Sequence, residues 1–302
     1  MLRKEDKHKS EAGFSLLEMV VSTTLMLLVA SAALSALYYS QQVYVSQQLK
    51  SEMHEGLRSS FELLTQEIGQ AGSLNFAPRT LTASVTGSTS AQTVSVSSSA
   101  NIFVGEQLTV GLGSAQEVVQ VTSLPQTNRV TGIFRRNHAN GETVLALGVF
   151  PQGVLSTSNA TSLQLVGDVN ADGSLAYVRY DCDTAAGTLT RSLTTINPGV
   201  TVQNPAEILL NDLVANPDGT PCFQYGSAVT IGGNTFIPNI AVSLTVRTTK
   251  TDPQTKAYSV MTKSFSNLAS RNVLAGITLA NASPSATYRL QPTPPALPLA
   301  IP

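Results

Sequence analysis

Apolar positions fall into two regimes along this chain. From Phe14 to Leu37 there are 24 residues with one charge, Glu18, and neither Gly nor Pro. At ~1.5 Å per residue that is helix enough to cross a ~30 Å hydrocarbon layer. Beyond it the apolar positions thin to one face: Val45, Leu49, Met53, Leu57, Phe61, Leu64 and Ile68 recur at intervals of three and four. Gln47, Glu52, Glu55, Arg58, Glu62 and Glu67 fill the other faces, and Gly69 and Gly72 are stop signals. The pattern predicts one helix from Phe14 to about Ala71, ~85 Å long.

After the helix the period changes to two. Thr93-Val-Ser-Val-Ser, Gln107-Leu-Thr-Val-Gly and Glu117-Val-Val-Gln-Val-Thr read as strands, punctuated at Leu124-Pro125 and Asn140-Gly141. Further strands are predicted at 162–166, 175–180, 187–191, 240–246 and 257–265, the last two pairing across Lys250–Pro253. The expected fold is α+β, a long N-terminal helix packed on an antiparallel β-sheet head with an additional small β module. The expected divisions are a leader at 1–13, a transmembrane half-helix at 14–39 and an amphipathic half-helix at 40–72. They continue with the β module at 76–150, the head at 151–280 and a Pro-rich, extended and mobile tail at 281–302.

Glu18 is the odd residue of the apolar run, since a carboxylate within hydrocarbon costs ~2.5 kcal/mol or more without a partner. Phe14 stands one helical turn before it, so a cut after Gly13 would place a new cationic α-amine beside that carboxylate. Gly13-Phe14-Ser-Leu-Leu-Glu18 resembles the processing site of type IV prepilins and type II secretion pseudopilins. The resemblance implies cleavage after Gly13 by a prepilin peptidase, N-methylation of Phe14 by the same enzyme, and Glu18 as the assembly carboxylate. It also implies a ladle-shaped subunit whose partners are that peptidase, the inner membrane and other pilin or pseudopilin subunits. Such a protein is single-pass in the inner membrane with its head outside the cytoplasm, periplasmic or extracellular once in the fibre. Leu57 to Gly72 further resembles the helix end of PilW-type minor pilins and J-type pseudopilins. Ser35 stands where many major pilins carry Pro, which points to a minor subunit. Two plainer readings compete: a secretory signal peptide exiting near Ala30–Ala36, and a simple signal anchor.

Composition narrows the rest. Charged residues are 12% with net charge −1, so there is no basic field for nucleic acid. The basic leader and the uncharged stretch from Met19 to Leu49 place the head in an oxidising compartment. There Cys182 and Cys222 are expected to bond, the alternative being two buried thiols. Asp168, Asn170, Asp172 and Gly173 open an EF-hand-type calcium loop, but Arg179 stands where its bidentate Glu belongs; a plain hairpin turn explains the same residues. His8, His54 and His138 are scattered, His54 expected on the helix surface and His138 in a turn, and no catalytic constellation is apparent. The sequence thus reads as a structural subunit without a cofactor and not as an enzyme. A fibre-presented adhesin or receptor is the alternative, and a soluble exported β-rich protein a lower one.

Overall fold

The computed structural model describes residues 15–196, 202–282, 290–294 and 297. Its first element, α1 (Leu16–Gln70), is a single uninterrupted helix of 55 residues. No proline precedes Pro78, so nothing removes a backbone donor along its length. Residues 15–41 are exposed throughout. Apolar docking begins one turn later than the periodicity suggests, at Leu49: Val45 is exposed, and the buried positions are Ser46, Leu49, Met53, Leu57, Ser60, Phe61, Leu64, Glu67 and Ile68. Gly56 lets the helix pass close to the head, since a Cβ there would stand 3.1 Å from a Leu210 methyl. Gly72, at φ +80°, ends the helix in the left-handed region that favours glycine. Its N–H donates to Val166 and its carbonyl accepts from Phe150, which ties the turn between two later segments.

The chain then forms β1 (Ser73–Asn75), β2 (Arg79–Thr80), β3 (Gln92–Ser95), β4 (Gln107–Val110), β5 (Glu117–Gln120), β6 (Arg129–Gly132), β7 (Thr143–Leu145) and β8 (Leu147–Val149). These make a four-stranded sheet in the order β2-β7-β4-β5 and the pairs β3-β6 and β1-β8. Next come β9 (Ser162–Gly167), β10 (Ala176–Asp183), β11 (Thr188–Thr195) and β12 (Glu207–Asn211), an antiparallel sheet in the order β12-β11-β10-β9. A second antiparallel sheet centres on β17 (Asn239–Arg247). β13 (Leu213–Val214) and β14 (Phe223–Tyr225) pair one of its edges, and β18 (Val260–Ala269) pairs the other. β15 (Val229–Ile231) and β16 (Asn234–Phe236) form a separate hairpin.

One core joins α1 to both of these sheets: Leu57, Phe61 and Leu64 meet Leu163, Leu165, Val178 and Tyr180 from one and Ile240, Val242 and Leu244 from the other. A second core fills the β2–β7 layers and continues onto Val166, Leu175, Tyr177 and Ile196. β9 and β10 are therefore covered on both faces, and β9 is buried at all six positions. That burial explains why Ser162–Gly167 reads Ser-Leu-Gln-Leu-Val-Gly with little polar alternation.

Two expectations need correction. The head does not continue as sheet to 280, because α2 (Arg271–Asn281) follows β18 directly. Ser270 caps it, its Oγ accepting from the Val273 N–H at 3.2 Å while donating to the Ala71 carbonyl at 2.6 Å. The tail was expected to be mobile from 281 on, yet its described part is docked. Leu290 bridges Val149 in parallel, and the Gln291 side-chain amide both donates to and accepts from the Gln107 backbone at 3.0 and 2.9 Å. Leu297 is buried. Prolines deny this segment a ladder of its own, but one glutamine supplies a strand-like pair of bonds in its place.

Candidate functional site

The exposed half of α1 is the feature that no packing among the described residues accounts for. It presents Leu16, Leu17, Met19, Leu25, Met26 and Leu27 to solvent, each more than half exposed. The helix is long and apolar enough to cross a membrane. Glu18 sits in its first turn, exposed like its neighbours, its N–H donating to the Ser15 carbonyl at 3.0 Å. Gly13 and Phe14, the expected processing residues, lie outside the described residues.

The docked half is fastened by polar contacts at both ends. At the lower end, Ser46 Oγ donates to Asp252 Oδ2 at 2.7 Å, with Lys50 Nζ 3.9 Å away. The Ser46 hydroxyl, then the Gln254 N–H, hold the Asp252 carboxyl below its ordinary range. At the upper end, Glu67 is buried and takes the Tyr180 hydroxyl and the Arg191 guanidinium, its bonds from Arg191 Nε being 3.1 and 3.2 Å. Burial, then the neighbouring Glu67 charge, push the Tyr180 phenol far up. Arg191 is raised too: burial opposes its charge, and Glu67 outweighs the burial.

Glu67 was read on a polar face, and that was wrong for a visible reason. Met53, Leu57, Ser60, Leu64 and Glu67 step by four, three, four and three, so they form one stripe; Ser60 and Glu67 are its polar members. The signal was present in the spacing but hidden by residue type.

The remaining expected site residues are placed as follows. Cys182, near the end of β10, and Cys222, just before β14, are disulfide-bonded with Cα atoms 6.5 Å apart, joining the two sheets over α1. Asp168 is buried at the β9–β10 turn, and its carboxylate accepts the N–H groups of Asp172 and Gly173 at 3.0 and 3.1 Å. Burial raises the Asp168 carboxyl, with those donors opposing. Asp172 takes both the N–H and the hydroxyl of Ser174, and Asn170 is exposed. Arg179 is paired with Asp181 at 2.8 Å. Both Asp168 oxygens and Asp172 Oδ1 are thus engaged by donors of the turn itself.

His54 is exposed on the helix, as expected. His138 is not a simple turn residue: it is buried, with Nδ1 2.7 Å from Glu142 and Nε2 2.7 Å from Glu117. Glu117 also accepts the N–H groups of Arg135 and Arg136, at 2.8 and 3.1 Å, so the cluster ties three segments of the module together. It has no nucleophile among its hydrogen-bond partners and reads as a structural staple. Its members are 21 and 4 residues from His138 in sequence, and no local motif announces them.

No curated protein and no solved structure matches the chain. Residues 8–34 match the family described as the prokaryotic N-terminal methylation motif, a stretch that includes Gly13, Phe14 and Glu18 and runs into the exposed apolar half of α1. That motif, followed by that helix, is consistent with a type IV pilin-like prepilin.

Proposed function

We propose that the chain is a minor pilin or pseudopilin, a structural subunit cut after Gly13, methylated on Phe14 and assembled into a type IV pilus or a type II secretion pseudopilus. The observation that carries this reading is the division of α1: a methylation-motif helix whose first half is apolar and exposed while its second half is built into the head. An apolar helical face without intrachain cover needs lipid or a neighbouring helix. In the bilayer the first half anchors the subunit, and in a fibre it packs against copies of the same segment. Glu18 is the one charge of that segment. Beside a neighbour's Phe14 amine it sets the register of packing, because a carboxylate in a low-dielectric bundle is tolerated only when paired. The methylation-motif family is structural rather than enzymatic.

The test is in two parts. Mass spectrometry of the protein from host membranes should find an N-terminus at Phe14 bearing one methyl group. Glu18→Ala should then leave the protein in the membrane but reduce its recovery in sheared fibres or cross-linked pseudopili by tenfold or more, given ~1.4 kcal/mol or more for the lost pair. A start near Leu37, or normal incorporation of the variant, would overturn the reading.

A further inference from the structure

The neck, where α1 passes from its exposed half into the head, carries chemistry that subunit assembly does not use. Tyr38, Tyr39 and Tyr44 are 65, 64 and 68% exposed. Tyrosines on a spanning helix collect at the head-group level. The 20 residues from Met19 to Tyr38 measure ~30 Å, one hydrocarbon thickness. That leaves Glu18 at the far interface and Ser46 ~10 Å above Tyr39.

At Ser46 the loop between β17 and β18 comes down onto the helix. Asp252, clasped by Ser46, also takes the Gln254 N–H at 2.8 Å, and its backbone bonds Ala257 and Lys256 at 2.8 Å each. Thr248 and Ser259 close the base of the loop. So fixed, it presents Lys250 and Lys256, both exposed and neither in an ion pair among the described residues. Lys50 is half-exposed alongside, and Arg247 lies over the Tyr258 ring at 4.8 Å. The loop's one acid, Asp252, is buried and engaged. Of other carboxylates toward this end, Asp183 caps the β10–β11 turn through Ala185 and Ala186, Glu52 accepts from Gln48, and Asp212 adjoins Arg247.

We propose that this loop docks the head on the phosphate groups of anionic phospholipids in the leaflet on the head's side, through Lys50, Lys250 and Lys256. The inference rests on the membrane-spanning reading of α1. With head groups occupying roughly 5–7 Å beyond the hydrocarbon, the loop stands within one ~8 Å Debye length of the phosphates. A lysine at that distance from an anionic surface contributes about a fivefold bias toward the docked state. The subunit is then held upright at a fixed height before extraction into a fibre.

The chain has no Trp, so Thr255→Trp, at an exposed loop position, supplies a sole indole donor. The full-length variant is reconstituted in phosphatidylcholine vesicles with and without phosphatidylglycerol, each carrying a trace of dansyl head-group lipid. Energy transfer should be higher in the anionic vesicles and fall with added salt. Adding Lys250→Gln and Lys256→Gln should lower the docked-to-free ratio about fivefold per lysine. These two changes leave the Ser46–Asp252–Lys50 contact in place. Equal transfer in both vesicle types, with the protein floating with both, would overturn this proposal alone. A protein that floats with neither would overturn the spanning reading and this proposal with it.

Discussion

Glu106 follows a tight turn in the β module and is fully buried. Its Oε2 accepts the Phe103 N–H at 3.1 Å, while Oε1 has no partner among the described residues. Burial pushes this carboxyl up from an ordinary 4.5 to about 8, against the opposing pull of the Phe103 N–H and of the Arg79 charge. The native state therefore keeps a proton that the unfolded chain releases. Below the ordinary value both states are protonated and nothing is lost. As pH rises above it, stability falls by ~1.4 kcal/mol per pH unit, until the native carboxyl itself ionises. The loss is about 3 kcal/mol at pH 7 and levels near 5 kcal/mol above pH 8. Glu106→Gln keeps the shape and the acceptor for Phe103 and cannot ionise. The variant should match the parent at pH 4.5 and be more stable by about 3 kcal/mol at pH 7. Denaturant titrations of the full chain in detergent at several pH values, followed by far-UV circular dichroism, measure that difference directly. Taking the difference between the two proteins removes every other titrating group from the comparison. Parallel stability curves from pH 4.5 to 8.5 would refute the reasoning, because they would mean that Glu106 is hydrated or paired in solution.

Three further outcomes are expected. Replacing Cys182 and Cys222 by Ser opens a loop of 40 residues and should cost roughly 4 kcal/mol by chain entropy; an unchanged denaturation midpoint would exclude the bond in the folded protein. Arg191→Leu leaves Glu67 buried without its cation and should cost about 3–5 kcal/mol, whereas Arg191→Leu combined with Glu67→Leu should cost clearly less than the two single changes summed. Additive losses in that double-mutant cycle would show that the contact is not coupled. Chelation by EDTA should leave the thermal midpoint unchanged, since the Asp168 carboxylate is already engaged by the Asp172 and Gly173 N–H groups; a lowered midpoint restored by calcium alone would instead establish a cation at that turn.

The sequence displays what depends on local period and hides what depends on distant partners. The long helix was legible because apolar residues repeat at three and four from Leu49 to Ile68 and no proline interrupts them. The pairing of β17 with β18 was legible because two alternating runs flank a turn. Glu67 was missed because a carboxylate on an apolar stripe looks like an error in the pattern until Tyr180 and Arg191 are seen opposite it. Those partners lie 113 and 124 residues away. α2 was missed because Arg271–Asn281 has β-branched and small residues at many positions and depends on its Ser270 cap and on packing of Val273 and Gly276. The methylation-motif segment is the opposite case: its match at residues 8–34 was legible because the motif is carried by contiguous residues.

The doubly covered β9–β10 pair explains how a module placed between the helix and the head becomes part of the same solid. Alternate residues of β10 point to different cores: Val178 and Tyr180 toward α1, Tyr177 toward the module. Tyr180 reaches Glu67 on the helix, and the neighbouring Ala176–Gly167 pairing brings the strand end to Gly72, where the helix stops. Glu67 thereby fastens the upper end of α1 to Tyr180 on β10 and to Arg191 on β11. Two residues beyond Tyr180, Cys182 bonds Cys222 and joins this sheet to the one centred on β17, while Tyr177 faces the module core. The partner of the buried ion pair, Arg191, and the disulfide's Cys182 thus stand close together on the β10–β11 ladder, at the rungs Tyr180–Arg191 and Cys182–Leu189. A surface ion pair there would yield readily, and breaking a buried one strands a charge away from water.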